Sequence, residues 1–207
     1  MPPRPATEPR KEPRQERARA TVDAILAATA RILVKEGYDR ASTNKIAEAA
    51  GVSVGSLYQY FPSKEALVAA LIERHSQEMM RCLEEKAAAT TPLTPIRQVV
   101  REVVEAMVEA HRVDPKLHRV LMEQVPRVGL LKRVSEIDDR ALELIRAYLE
   151  MRRAEIRPQN LKLASFLLAS MVEAVTHGAV LLHQEYLAEE KLVDETTDVI
   201  CRYLLDA

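Results

Sequence analysis

The sequence predicts an all-α fold of nine helices, in which three short or medium N-terminal helices precede a larger helical body. Three observations lead there. Leu, Ala, Glu and Arg, all good helix formers, are abundant, while Gly occurs only five times in 207 residues. Apolar residues recur at three- and four-residue spacing over long segments, and the alternating, Gly-bounded runs typical of strands are missing. Turn residues then divide these segments into ordinary helix lengths.

Taken in order, residues 1–15 are rich in Pro and Arg and are expected to be disordered when free. Val22, Ile25, Leu26, Thr29, Ile32 and Leu33 form the first apolar stripe, and Gly37 stops that helix. Ser42 or Thr43 offers an N-cap for a short helix ending near Ala50. Gly51-Val52-Ser53 makes a tight turn into a second short helix, Val54 to Tyr60. Ser63 caps a long helix that carries Ala66, Leu67, Ala70 and Leu71 toward Ala89, before the breaker from Thr90 to Pro95.

Ile96, Val99, Val100, Val103, Val104, Met107 and Val108 form a broad stripe that ends at Asp114-Pro115. Leu117, Val120, Leu121 and Val125 face inward on the next helix, which is expected to break between Pro126 and Gly129. Val134, Ala141, Leu144, Ile145 and Tyr148 mark another, ending before Pro158. Residues 160–183 are apolar around most of the helix circumference and must be buried on several sides. The last helix, 189–205, carries Leu192, Val193, Thr196, Val199, Ile200, Tyr203 and Leu204. The expected domains are an arm at 1–18, a helix-turn-helix domain at 19–64 and a larger domain at 65–207.

The net charge of −1 hides an asymmetry: residues 1–64 hold eleven Lys/Arg against seven Asp/Glu, whereas the remainder holds nineteen against twenty-four. A basic front on an acidic body suggests an anion-binding surface at the N-terminal end. Cys82 and Cys201 belong to no metal or redox motif and read as reduced thiols. With no apolar leader and no run of about 18 uncharged apolar residues, no membrane partner is expected and the cytoplasm is the default location.

The densest local pattern is Thr43 to Tyr60. Ile46, Ala47 and Ala50 give its first helix a small inward face, and Gly51 permits the sharp turn. Val52 and Leu57 fill the crossing. The outward side of the second helix is polar and short: Ser53, Ser56 and Gln59, with Tyr58 and Tyr60. Such a helix suits a DNA major groove, where Gln can bond adenine bidentately and hydroxyls can meet phosphates. Lys64, at the start of the following helix, adds a further phosphate contact.

The run TNKIAEAAGVSVGSLYQYFPSKEALV resembles the N-terminal helix-turn-helix of TetR-family transcriptional regulators, and the resemblance extends over residues 20 to 72. It implies an all-α homodimer whose three N-terminal helices bind double-stranded DNA at a palindromic operator. It also implies a larger domain that encloses an effector pocket and pairs its last two long helices with the partner's. Most such regulators are repressors released by a small molecule. Carried onto this chain, the resemblance places Thr43 at a phosphate, Ser53, Val54, Gly55, Ser56 and Tyr58 at the bases, and Tyr60 and Lys64 at phosphates. Asn44, at a variable position, and Lys45 are further candidate contacts.

For the pocket, the expected lining is Val103, Met107, His111, Leu121, Met122, Phe166, Leu167, Met171 and His177, although ordinary core is the plainer account of each position taken singly. The expected dimer interface comprises Ala174, Gly178, Leu181, Val193, Thr196, Ile200 and Tyr203, because an apolar face that large would be a liability in a monomer. His111, Glu173 and His177 are polar groups on apolar faces. Glu173 and His177 are four residues apart and share a helix face. A polar pair in the pocket or interface is expected there rather than a metal, since the sequence names no third ligand; no cofactor is expected. Arg4, Arg10, Lys11, Arg14, Arg17 and Arg19 are expected to precede the first helix, either as an arm that reaches the minor groove or as a solvated tail.

The rival readings are a helical enzyme and a regulator with no small-molecule effector. The first finds no Ser/His/Asp order, HExxH, P-loop or Cys/His set to support it.

Overall fold

The computed structural model describes residues 16–128 and 131–206. Ten α-helices and one 3-10 turn are seen among them: α1 Glu16–Glu36, α2 Thr43–Ala50, α3 Val54–Tyr60, α4 Lys64–Ala89, α5 Ile96–Val113, α6 Pro115–Val128, α7 Leu131–Met151, the turn Arg153–Glu155, α8 Leu161–Leu181, α9 Gln184–Leu187 and α10 Glu190–Leu204. The all-α expectation holds. The tenth helix is the single turn α9, too short to show a periodicity of its own. A second departure is at Pro126, which α6 contains rather than stops before. A third is at the front: α1 already begins at Glu16, so Arg17 and Arg19 are helical and exposed. The other basic arm positions, Arg4, Arg10, Lys11 and Arg14, lie outside the described residues.

The chain folds as two compact units, the first made of the chain through His75 with Lys116–Val134, the second of Ser76–Pro115 with Ser135–Ala207. The first core collects Ile25, Leu33, Ile46, Leu57 and Phe61, each 2% exposed or less, with Ala66, Leu67 and Val68 from the start of α4. Burying a side chain of this size contributes about 1.5–3 kcal/mol. Leu121 of α6 is 2% exposed within this core. Met122 beside it is half-buried.

The second core is organised by α5, whose Ile96, Val100, Val104 and Val108 recur at four-residue spacing and meet Leu149, Leu161, Ala164 and Leu168, with Val193, Ile200 and Leu204 of α10. Arg97–Asp198 and Arg101–Asp194 ion pairs run along the outer edge of the α5–α10 contact. Arg152 sits 5% exposed below it. Its guanidinium donates two 2.7 Å bonds to the Glu155 carboxylate and a 2.6 Å bond to the Thr94 carbonyl, fixing the 3-10 turn against the loop before α5. Among the described residues α8 is the one helix long and apolar enough to cross a membrane by length and composition alone. Lys162 and Glu173 interrupt it, and Ala164, Leu168, Ala179 and Val180 pack in the second core.

Candidate DNA-binding surface

The helix-turn-helix is built by caps. Ser42 lies in extended backbone and accepts from the Lys45 N–H, opening α2. Gly51 closes it at φ +68°, a left-handed conformation that an L side chain adopts only with strain, and its N–H returns to the Ala47 and Glu48 carbonyls. Ser53 then caps α3 by accepting from the Ser56 N–H at 3.0 Å, and its hydroxyl also meets the Ser56 hydroxyl at 2.8 Å. Leu57 is fully buried behind this turn. The seven-residue α3 is therefore anchored by Leu57, the partly buried Tyr60, a cap and the turn.

This anchoring leaves Ser53, Val54, Gly55, Tyr58 and Gln59 exposed on one surface, with Ser56 and Tyr60 half-buried at its margin. A Cβ at Gly55 would meet only the Ser53 hydroxyl, at 3.8 Å, so the backbone here is bare without being crowded. Thr43 and Tyr58 exchange a 3.1 Å hydroxyl–hydroxyl bond, which joins the first turn of α2 to the outer face of α3. Asn44 is exposed on the same turn of α2.

The two lysines expected at DNA are held by the protein itself. Lys45 is half-exposed and pairs with Glu36 at 2.5 Å while donating to the Arg40 carbonyl at 3.2 Å. The hydrogen bond and charge of Lys45 keep the Glu36 carboxyl below the usual carboxylate range. Lys64 donates to the Tyr38 carbonyl at 2.9 Å and lies over the Tyr38 ring. Tyr38 in turn donates to Glu65 at 3.1 Å. Burial works to raise the Glu65 carboxyl, but bonds from its own backbone N–H, Ser63 and Tyr38, and the Lys64 charge, hold it low.

Sequence reasoning missed these long-range partners. Tyr38 precedes Lys64 by 26 positions, and Arg31, which donates to the Ala49 carbonyl at 3.0 Å, stands 18 before it. No spacing rule reaches that far.

The expected pocket residues separate. Val103, Met107, Leu167 and Met171 are half-buried in the second unit, and Met171 packs against its core. Phe166 is 53% exposed, beside an open groove of about 560 Å³ that Leu142, Arg146, Leu163 and Asn160 also line. It does not face an enclosed cavity. His111 is 2% exposed, and its ring centre lies 5.3 Å from that of His177.

The expected interface residues also divide. Val193, Thr196 and Ile200 are 7% exposed or less, and the Thr196 hydroxyl is satisfied by the Leu192 carbonyl. They are consumed inside the protomer, because the face of α10 that meets α5 is the more apolar one. Ala174 is exposed, and Gly178, Leu181 and Tyr203 are half-buried. Leu163, Phe166 and Val199 are apolar and exposed on α8 and α10.

Comparison with known proteins decides the family. The description "Bacterial regulatory proteins, tetR family" matches residues 25–71, and "Tetracyclin repressor-like, C-terminal domain" matches residues 95–204. The chain belongs to the TetR family. The two matched segments are the family's N-terminal regulatory region and its repressor-like C-terminal domain. A TetR-family regulator from Mesorhizobium loti superposes with a TM-score of 0.75 at 18% identity, covering 93% of this chain and all of that one. SmeT of Stenotrophomonas maltophilia, solved with triclosan, gives 0.69 at 22% identity over 90% and 92%. At such identities the likeness is one of fold. The nucleoid occlusion factor SlmA of Actinobacillus pleuropneumoniae is 33% identical over 87 residues, 42% of each chain. The chain thus matches about two fifths of that relative's length.

Proposed function

We propose that this TetR-family chain is a cytoplasmic, homodimeric repressor that inserts α3 into the major groove of a palindromic operator and is released by a small apolar or amphipathic ligand. One observation carries the reading most: α3 buries Leu57 in the core, with Tyr60 partly packed against it, and leaves Ser53, Gly55, Tyr58 and Gln59 outward beside the backbone N–H groups of its own start. Thr43 and Asn44 flank it from α2, and Tyr60 and Lys64 from its exit.

A dimer is supported by the apolar side chains that α8 and α10 leave exposed, namely Leu163, Phe166 and Val199, alongside the small residues Ala174 and Gly178. A two-fold dimer matches a two-fold operator. The ligand reading is supported by the solved complex of SmeT, a repressor of a multidrug efflux pump, with triclosan. α4 is the candidate lever, since its early turns belong to the first unit and its later turns to the second. A ligand that prefers the released state about a hundredfold, roughly 2.7 kcal/mol, relieves most repression when the two states start near balance.

Fluorescence anisotropy with DNA from the gene's own upstream region tests the DNA reading, and salt-dependent saturation is expected. Sedimentation that shows a monomer at micromolar concentration would overturn the dimer. The second reading, a DNA-binding regulator without an effector, draws on the likeness to the nucleoid occlusion factor. A thermal-shift screen separates the two: a compound that raises Tm and weakens DNA binding supports induction.

A further inference from the structure

His111 and His177 come from α5 and α8, 66 positions apart in sequence, yet one ring nitrogen of each lies within 4.8 Å of the other. The His111 ring is held from behind. The His111 Nδ1 sits 2.6 Å from the Met107 carbonyl one turn earlier, and a carbonyl can only accept, so Nδ1 carries the proton. The Nε2 of His111 therefore presents its lone pair in the neutral ring. On the other side the His177 Nδ1 faces the Glu173 carboxylate at 3.7 Å, one turn back on α8.

A backbone carbonyl behind one imidazole and a carboxylate behind the other is the outer-sphere arrangement found around metal-bound histidines, where it fixes the tautomer and raises the basicity of the coordinating nitrogen.

We propose that His111 and His177 together bind a divalent transition-metal ion of the zinc, nickel or cobalt class, with Glu173 as the positioning residue behind His177. Two metal–nitrogen bonds of about 2.1 Å at a tetrahedral angle set the nitrogens about 3.4 Å apart. In the protein the two nitrogens lie within 4.8 Å. Imidazole pairs favour these ions over magnesium or calcium, which prefer oxygen.

The test is titration of untagged, chelator-stripped full-length protein with Co2+, followed through its visible absorption, then competition with Zn2+. One saturable site per chain is expected. His177→Gln and His111→Gln should each weaken binding by at least tenfold, and Glu173→Gln by about tenfold, since outer-sphere changes cost about 10–100-fold. His177 is half-buried, so its variant decides the matter should His111→Gln fail to fold, with circular dichroism as the check. Cobalt affinity unchanged in His177→Gln, or no saturable site in the unaltered protein, overturns the proposal.

Discussion

The Lys64 ammonium lies 4.1 Å from the centre of the Tyr38 ring and donates a 2.9 Å hydrogen bond to the Tyr38 carbonyl. A residue read from sequence as a DNA contact is thus also a clamp between the α1–α2 loop and the first turn of α4. An ammonium has three donors, so the two roles are compatible.

Lys64→Ala should therefore show two effects. Stability in urea should fall by about 1–2 kcal/mol, through loss of the cation–π contact and the charged hydrogen bond. The slope of log affinity for DNA against log salt should become shallower by about 1. An altered stability with an unchanged slope would confine Lys64 to the clamp.

Gly51 and Gly55 should respond in opposite ways to alanine. Gly51→Ala forces a side chain into φ +68°, with nothing within 4 Å to blame but the backbone itself, and should cost about 1–2 kcal/mol in thermal unfolding. Gly55 is helical, and its new Cβ would make an ordinary 3.8 Å contact. Gly55→Ala should keep or raise Tm, since Ala is favoured in helices by up to about 1 kcal/mol. It should nonetheless weaken DNA binding, because a methyl would stand where backbone approaches the groove. Unaltered operator affinity would remove Gly55 from the DNA surface.

Acid should loosen the second unit through Arg152 and Glu155. The hydrogen bonds and charge of Arg152 hold the Glu155 carboxyl below its ordinary value. A carboxyl depressed on folding contributes stability that is complete above its unfolded pKa and disappears as pH falls through the folded one. Glu155→Gln should flatten that acidic limb of a stability–pH curve and change little of its shape at neutral pH. A variant whose acid limb matches the parent's would show that other carboxylates govern it.

The two thiols should differ toward an alkylating reagent. Cys201 is 5% exposed in the second core, and burial raises its pKa, so little thiolate forms. Cys82 is half-exposed on α4. Mass spectrometry after brief treatment at neutral pH should find label on Cys82 first. Equal rates would indicate that α10 opens readily.

The parts of this fold legible in the sequence are those specified by neighbours. Ser42, Gly51, Ser53 and Ser63 act within four residues of themselves, and the limits of α2 and the starts of α3 and α4 followed from them. The stripe of α5 was visible for the same reason. The continuation of α6 through Pro126 was not, because a helix broken by Pro in isolation can be completed by tertiary packing. The fate of Val193, Thr196 and Ile200 was equally hidden: an amphipathic face announces that it will be covered, but not whether its own chain or a second copy will cover it. His111 and His177 stood out singly as polar groups on apolar faces. Only the packing of α5 on α8 makes them a pair.

The hydroxyl bond between Thr43 and Tyr58 has a bearing on how such a protein can be retargeted. A hydroxyl that already has a partner meets DNA by exchanging or sharing a bond, so part of the ordering cost is met before contact. It also means that the two positions are one unit. Replacing Tyr58 to change the base preference frees the Thr43 hydroxyl at the same stroke, and any redesign of the operator must be scored on both residues together.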